Sequence, residues 1–343
     1  MRRSDFDYHL PLERIAQVPL AERDASRMLV FRRETQTVEH RHFINFPEYL
    51  EPDDVLVVND TRVNALRLIG SRVGHTGETV EAFLTTRIAP GLWQGLVRPG
   101  KKLLPGAKVD FGDGLFAEVL SMTAERGGRT LQFETTTSIS VETAIEKCGI
   151  VPLPPYITTP LEQDSRERYQ TVYSTHEGSA AAPTAGLHFT QAVLDRIAAL
   201  GVRIARVTLH VGLGTFRPIE TDDIDQHVMH GEQMTLNDEA ADVINTAKGR
   251  VIAVGTTSAR ALESAAVGKR RVEPSERSTS LFVKPGYEFK VVDALVTNFH
   301  MPKSTLLLLV SALTGTDQMR RIYADALAAE YRFLSFGDSM LII

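Results

Sequence analysis

Residues 54–62 read DVLVVNDTR. Val55, Leu56, Val57 and Val58 form an unbroken apolar run, bounded by Asp54 and Asn59. A strand in a half-exposed sheet alternates apolar with polar. One buried on both faces, as between two helical layers, does not. The run therefore predicts a central strand of an α/β domain. It ends in the polar triplet Asp60-Thr61-Arg62, and there the texture of the chain changes.

From 61 to 137 the sequence consists of short runs such as TVEAFLTTRI, LWQGLV, LFAEVLSMT and RTLQFET. Gly91, Pro99-Gly100, Pro105-Gly106, residues 112–114 and Gly127-Gly128 separate them. Short strands broken by glycine and proline predict a small antiparallel sheet or barrel. PLPP at 152–155 reads as a stiff return segment. The α/β texture then resumes. A helix is expected over 191–200, capped by Thr190 and closed by Gly201, then a strand over 202–211. A second helix starts at Asn237 or Asp238 and runs to Ala247, before the strand RVIAVG and a helix from Thr256. A strand over 294–299 leads to an apolar helix capped by Ser304 or Thr305. A helix over 317–330 and a closing strand near Phe333 complete the pattern. Strands alternating with helices predict a mostly parallel sheet or barrel. The β-rich stretch interrupts it as an insertion. The domains expected are 1–60 with 151–343, and 61–150.

Ligands of α/β proteins gather at the loops after strands. Here those loops are polar: Asp60-Thr61-Arg62, Gly212 to Phe216, Thr256 to Arg260 with Glu263 beyond, and His300 to Thr305 with Lys303 inside it. The stretch 178–190, GSAAAPTAGLHFT, adds small residues that allow close backbone approach. Its Thr184, Gly186 and His188 are candidates for contact with a ligand. His188 and His300 are candidates for proton transfer, because imidazole titrates near neutrality. Asp60 and Glu263 lie beside arginines and serve equally well as acid–base groups or as salt-bridge partners. His210 lies in an alternating strand and reads as a structural histidine.

Other signatures are missing from the sequence. It has no Walker A sequence, no CxxC and no G-x-S-x-G, and Gly212-Leu213-Gly214 lacks the third glycine of a dinucleotide fingerprint. His227 and His230 have no matching ligand set for zinc. A net charge of −5 over 343 residues excludes a protein that coats nucleic acid non-specifically. The charge is uneven, however: residues 61–129 carry 10 Lys/Arg against 6 Asp/Glu. A basic module could meet a polyanion locally, or could simply hold solvated edge charge. Cys148 is the single cysteine, and no apolar run is long enough to cross a membrane. A cytoplasmic protein is expected.

Several long segments carry a family resemblance. YQTVYSTHEGSAAAPTAGLHFT, LHVGLGTFRPI, VGTTSARALES, PGYEFKVVDALVTNFHMPKSTLLLLVSA and YRFLSFGDSMLI resemble bacterial S-adenosylmethionine:tRNA ribosyltransferase-isomerases. FDYHLPLERIAQVPL and DVLVVNDTRV are similar to the same family. Ala180, Met301 and Leu308 depart from its pattern without altering a polar group. The resemblance implies an α/β barrel-like main domain with an inserted small antiparallel β-barrel. It implies transfer and isomerisation of the ribosyl group of S-adenosylmethionine onto 7-aminomethyl-7-deazaguanine at the wobble position of a tRNA with a GUN-type anticodon. Epoxyqueuosine-tRNA, adenine and methionine result. It further implies a monomer that needs no metal or other cofactor and no membrane.

Such chemistry needs a base, a donor to departing adenine and anchors for methionine. His188 or His300 is expected to move protons, with Thr184 orienting the donor. Asp60 and Arg62 would anchor polar groups, and Thr256, Thr257, Arg260 and Glu263 would line the opposite wall. Trp93, Arg98, Lys101 and Lys102 are the expected tRNA contacts, with Arg320 and Arg321 as a second basic option. Two other readings remain: a non-catalytic RNA-binding protein, and a different S-adenosylmethionine-dependent tRNA enzyme such as a methyltransferase. Release of free adenine separates them.

Overall fold

The computed structural model describes residues 1–64, 66–75, 77–124, 127–159, 167–212 and 219–343. The chain divides into two compact units, Met1–Arg62 with Pro154–Ile343, and Val63–Leu153.

The larger unit is built on one nine-stranded sheet. Its order is Ser275–Thr279, Glu232–Leu236, Arg203–Leu209, Val55–Asn59, Val251–Val254, Ala294–Asn298, Ser339–Ile342, Arg27–Arg32 and Thr37–His42. The Arg203–Leu209, Val55–Asn59, Val251–Val254 and Ala294–Asn298 strands run parallel. All five residues of Val55–Asn59 are buried, as the unbroken apolar run requires. Successive side chains leave a strand on opposite faces. Val55 and Val57 thus join one core with Val207, Ala253, Leu295 and the Gly255–Ala265, Thr305–Thr314 and Thr316–Ala328 helices. Leu56 and Val58 join another with Ile252, Val254 and Val296, roofed by Phe43, Phe189, Val193 and Ile197. Each Val, Leu, Ile or Phe among them stabilises by roughly 1.5–3 kcal/mol on full burial.

The helix caps follow the sequence closely. The backbone N–H groups of Val193, Ala240 and Leu307 donate to the side chains of Thr190, Asn237 and Ser304. The closing strand, by contrast, lies at Ser339–Ile342 and not near Phe333. Phe333 is fully buried against Phe299, with ring centroids 4.9 Å apart. The chain turns after it, and the Asp338 carboxylate accepts from the backbone N–H groups of Arg27 and Arg332.

The smaller unit is a closed six-stranded antiparallel barrel. Around it run Gly128–Thr135, Leu92–Arg98, Thr79–Ala89, Arg67–Arg72, Lys108–Asp110 and Leu115–Met122. Alternate residues fill the inside, including Leu115, Ala117 and Val119 of one strand. The Val141–Cys148 helix packs Ala144 and Ile145 against this core. The fold is therefore α/β with an inserted β-barrel. Among the described residues no helix is long and apolar enough to cross a membrane.

Candidate active site

A cleft lies at the C-terminal ends of the parallel strands of the larger unit. Its volume is about 690 Å³ with the mouth included. Pro183, Thr184 and Ala185 form one wall, and Gly255, Thr256 and Thr257 another. Thr297, Asn298, Phe299 and His300 form the floor, and Tyr156, Ser304 and Ser335 complete it.

Local chemistry sets each wall. The Gly255–Ala265 helix begins without a side-chain cap, and its first residues, Gly255, Thr256 and Thr257, line the cleft. Gly255 takes φ +88°, which a side chain would strain. Asn59 holds this corner: its amide donates to the Leu209 carbonyl (2.9 Å) and to Thr257 Oγ1 (3.2 Å).

Asn298 is the most telling side chain. It is buried, and its Nδ2 donates to the Leu334 carbonyl (3.0 Å) and to His188 Nε2 (3.2 Å). His188 therefore carries its proton on Nδ1 and donates to Ser26 Oγ (2.7 Å). With Nδ2 committed twice, Asn298 Oδ1 is left buried without a partner in a residue that lines the cleft. Burial, aided by Arg23 and Arg332, pushes the His188 imidazole down to about 3. His188 thus sits behind Asn298 as a neutral positioning group.

His300 lines the cleft directly. Its Nε2 lies 2.8 Å from Thr297 Oγ1, its backbone N–H donates to Tyr323 Oη (3.0 Å), and its carbonyl accepts from Tyr8 Oη. Burial pushes it down to about 3. Tyr156 Oη lies 2.7 Å from Ser335 Oγ, and burial pushes the phenol up to about 12.

The structure thus brings together Thr184, Thr256, Thr257 and His300, with His188 one layer behind. It does not bring the other expected residues to this cleft. Arg260 and Glu263 lie one and two turns into the helix, inside the core. The Arg260 guanidinium is paired with the buried Glu232 carboxylate and donates to the Leu281 carbonyl. Glu263 accepts from Tyr287 Oη and from the backbone N–H groups of Lys290, Val291 and Val292. A carboxylate so fully bonded is structural. Gly186 is small for packing, since an added Cβ would lie 2.2 Å from Tyr173 Oη. Asp60 follows Asn59 and leaves on the opposite side. It accepts from Thr208 Oγ1 (2.7 Å) and lines a separate hollow with His176 and His210. His210 Nδ1 lies 2.8 Å from Thr61 Oγ1, a structural contact. Arg62 donates to Ser174 Oγ and pairs with Glu167 at 2.6 Å. Lys303 pairs with Asp7 at 2.7 Å. Of the loop Gly212 to Phe216, residues 213–216 lie outside the described residues.

In the barrel, Trp93 is half-buried against the core. Lys102 pairs with Glu78 at 2.8 Å, whereas Arg98 and Lys101 make no ion pair among the described residues. Arg129, counted with the basic residues, is buried and donates to the Leu103 and Gly100 carbonyls. The sequence reading missed Asn298 and Tyr156. Asn298 ends the strand before the His300 loop, where the strand-end rule points directly. Tyr156 follows PLPP and carries no local signal.

Comparison with known proteins agrees in family over the whole chain. The family model for queuosine biosynthesis protein matches residues 3–342. S-adenosylmethionine:tRNA ribosyltransferase-isomerase of Symbiobacterium thermophilum is 54% identical, with 100% of each chain covered. The protein of the same name from Pelotomaculum thermopropionicum is 50% identical over the same full extent. The crystal structure of S-adenosylmethionine tRNA ribosyltransferase from Thermotoga maritima superposes with a TM-score of 0.55 at 36% identity, covering 99% of this chain and 100% of that one. The chain belongs to the queuosine biosynthesis family, among relatives named S-adenosylmethionine:tRNA ribosyltransferase-isomerases.

Proposed function

We propose that this protein transfers and isomerises the ribosyl group of S-adenosylmethionine onto 7-aminomethyl-7-deazaguanine at the wobble position of a tRNA with a GUN-type anticodon. The observation that carries this reading is 54% identity over the full length to a ribosyltransferase-isomerase, joined to a cleft at the strand ends that His300, Asn298 and several threonines line. The sulfonium acidifies the adjoining ribose methylene. A base removes a proton there, and the electron pair it leaves helps to expel adenine. The neutral substrate amine forms the new bond to the ribosyl carbon skeleton, and closure of the epoxide releases methionine. His300 is the base in this scheme, because it and Tyr156 are the titratable side chains lining the cleft among the described residues. Its neutral state at working pH leaves a lone pair available. Tyr156 stays protonated and can donate. Asn298 Oδ1 accepts from an N–H group of the bound donor, and Thr184, Thr256 and Thr257 orient it. The reaction proceeds in a cytoplasmic monomer, where tRNA is available, without a metal or other cofactor.

Product analysis tests the reading. The protein, S-adenosylmethionine and tRNA bearing the modified base should yield adenine and methionine together. S-adenosylhomocysteine would make it a methyltransferase, and no product at all a binding protein.

A further inference from the structure

Next to the cleft lies a smaller pocket with no assigned role. Pro19, Leu20, Arg23, Ser26, Arg168 and Phe336 line it, and Ser335 is shared with the cleft. Two guanidiniums face it. Arg23 donates to the Leu187 and Glu167 carbonyls (3.2 and 3.0 Å), and Arg168 donates to the Leu20 carbonyl. A third, Arg332, donates to the Val18 carbonyl and keeps a buried Nη1 without a partner.

None of these three arginines forms a carboxylate ion pair among the described residues, although most arginines of the larger unit that are as buried do. Their bonds run to neutral backbone carbonyls, which fix the side chains without cancelling their charge. Burial, and then the charge of Arg168, holds the Arg23 guanidinium below its ordinary value, against a smaller opposing pull from the Glu167 carboxylate, which pairs with Arg62. The Asp338 carboxylate lies near Arg332, but its oxygens accept from the backbone N–H groups of Arg27 and Arg332. Like charges fixed near one another by these bonds, with hydroxyls of Ser26 and Ser335 beside them, fit an oxyanion. We propose that Arg23 and Arg168, with Arg332 behind, form an oxyanion subsite that holds a charged end of the ligand occupying the cleft. The His188 chain joins the two places: Ser26 lines this pocket and Asn298 the cleft, with His188 hydrogen-bonded to both.

The oxyanion has two sources, a backbone phosphate of the tRNA or the carboxylate of the methionine portion of S-adenosylmethionine. Only this choice of source rests on the function proposed above. The probe is inorganic phosphate, titrated calorimetrically at constant ionic strength. Wild type should bind it at a single saturable site, Arg168→Gln should lose that binding, and Arg168→Lys should keep part of it. Two further measurements on Arg168→Gln then assign the source. A slope of log Kd for tRNA against log salt reduced by about 1 identifies a backbone phosphate. An unchanged slope with a KM for S-adenosylmethionine raised roughly 10- to 100-fold identifies the carboxylate. Absence of saturable phosphate binding to wild type overturns the subsite, whether or not adenine is released. So does a folded Arg168→Gln protein with phosphate binding, salt slope and KM all unchanged.

Discussion

At the residue scale, the roles divide by which side chains are already satisfied. Glu263 is fully bonded and Arg260 is ion-paired inside the core, away from the cleft, whereas Asn298 lines the cleft with a buried Oδ1 that has no partner. Asn298→Asp removes the donor that serves Leu334 and His188. Two buried acceptors lose their bond, and stability should fall by roughly 1–3 kcal/mol in denaturant titration. An unchanged midpoint would show that the amide does not organise this corner. The histidines give a pH signature. His188 and His300 are both held near 3 in the fold, below the unfolded value of about 6.5. Under pH 6.5 the unfolded chain binds protons that the folded chain does not, so stability is complete above that pH and declines towards pH 3. Each histidine contributes up to about 1.4 kcal/mol per pH unit to the slope. His188→Gln should flatten the fall in stability between pH 6.5 and 4.5, and an equally steep fall would contradict a neutral buried imidazole. These distinctions were closed to sequence reading. His188 and His300 look alike in a string, and only packing places one behind Asn298 and the other on the cleft.

At the element scale, the parallel strands and their caps were legible because burial on two faces and capping chemistry are local. The Glu232–Leu236 and Ser275–Thr279 strands were not, since they extend the antiparallel edge and half or more of their residues are polar. The stretch 178–190 splits in two. Residues 183–185 line the cleft, while Phe189 is buried against Phe43 at 4.8 Å and anchors the segment to the sheet. Phe189→Ala should cost about 3–5 kcal/mol, read as a lowered denaturation midpoint. The helix after Thr190 is capped by that side chain, whereas Gly255–Ala265 has no side-chain cap. Gly255→Ala forces a side chain into φ +88° and should cost about 1–2 kcal/mol. It should also lower the rate of adenine release by displacing Thr256 and Thr257. A variant as active and stable as wild type would remove the helix start from the site.

At the scale of the whole molecule, the change of texture from about residue 61 announced a chain of two kinds, and the barrel closes as its glycine-punctuated runs suggested. Its charge was less legible. Arg129 holds the Gly100 loop and Lys102 is paired with Glu78, which leaves Arg98 and Lys101 as the cations there without an ion pair among the described residues. Lys101→Glu should weaken tRNA binding and flatten its salt dependence, and an identical Kd across a salt series would exclude it as a contact. The placement of ribosyl transfer in the strand-end cleft is tested most directly by single-turnover release of adenine at saturating S-adenosylmethionine and tRNA, with wild type and His300→Ala side by side. Wild type should release adenine, and His300→Ala should do so roughly 100- to 10,000-fold more slowly while still binding both substrates. Release of adenine by His300→Ala at the wild-type rate would contradict the assignment of the chemistry to this cleft.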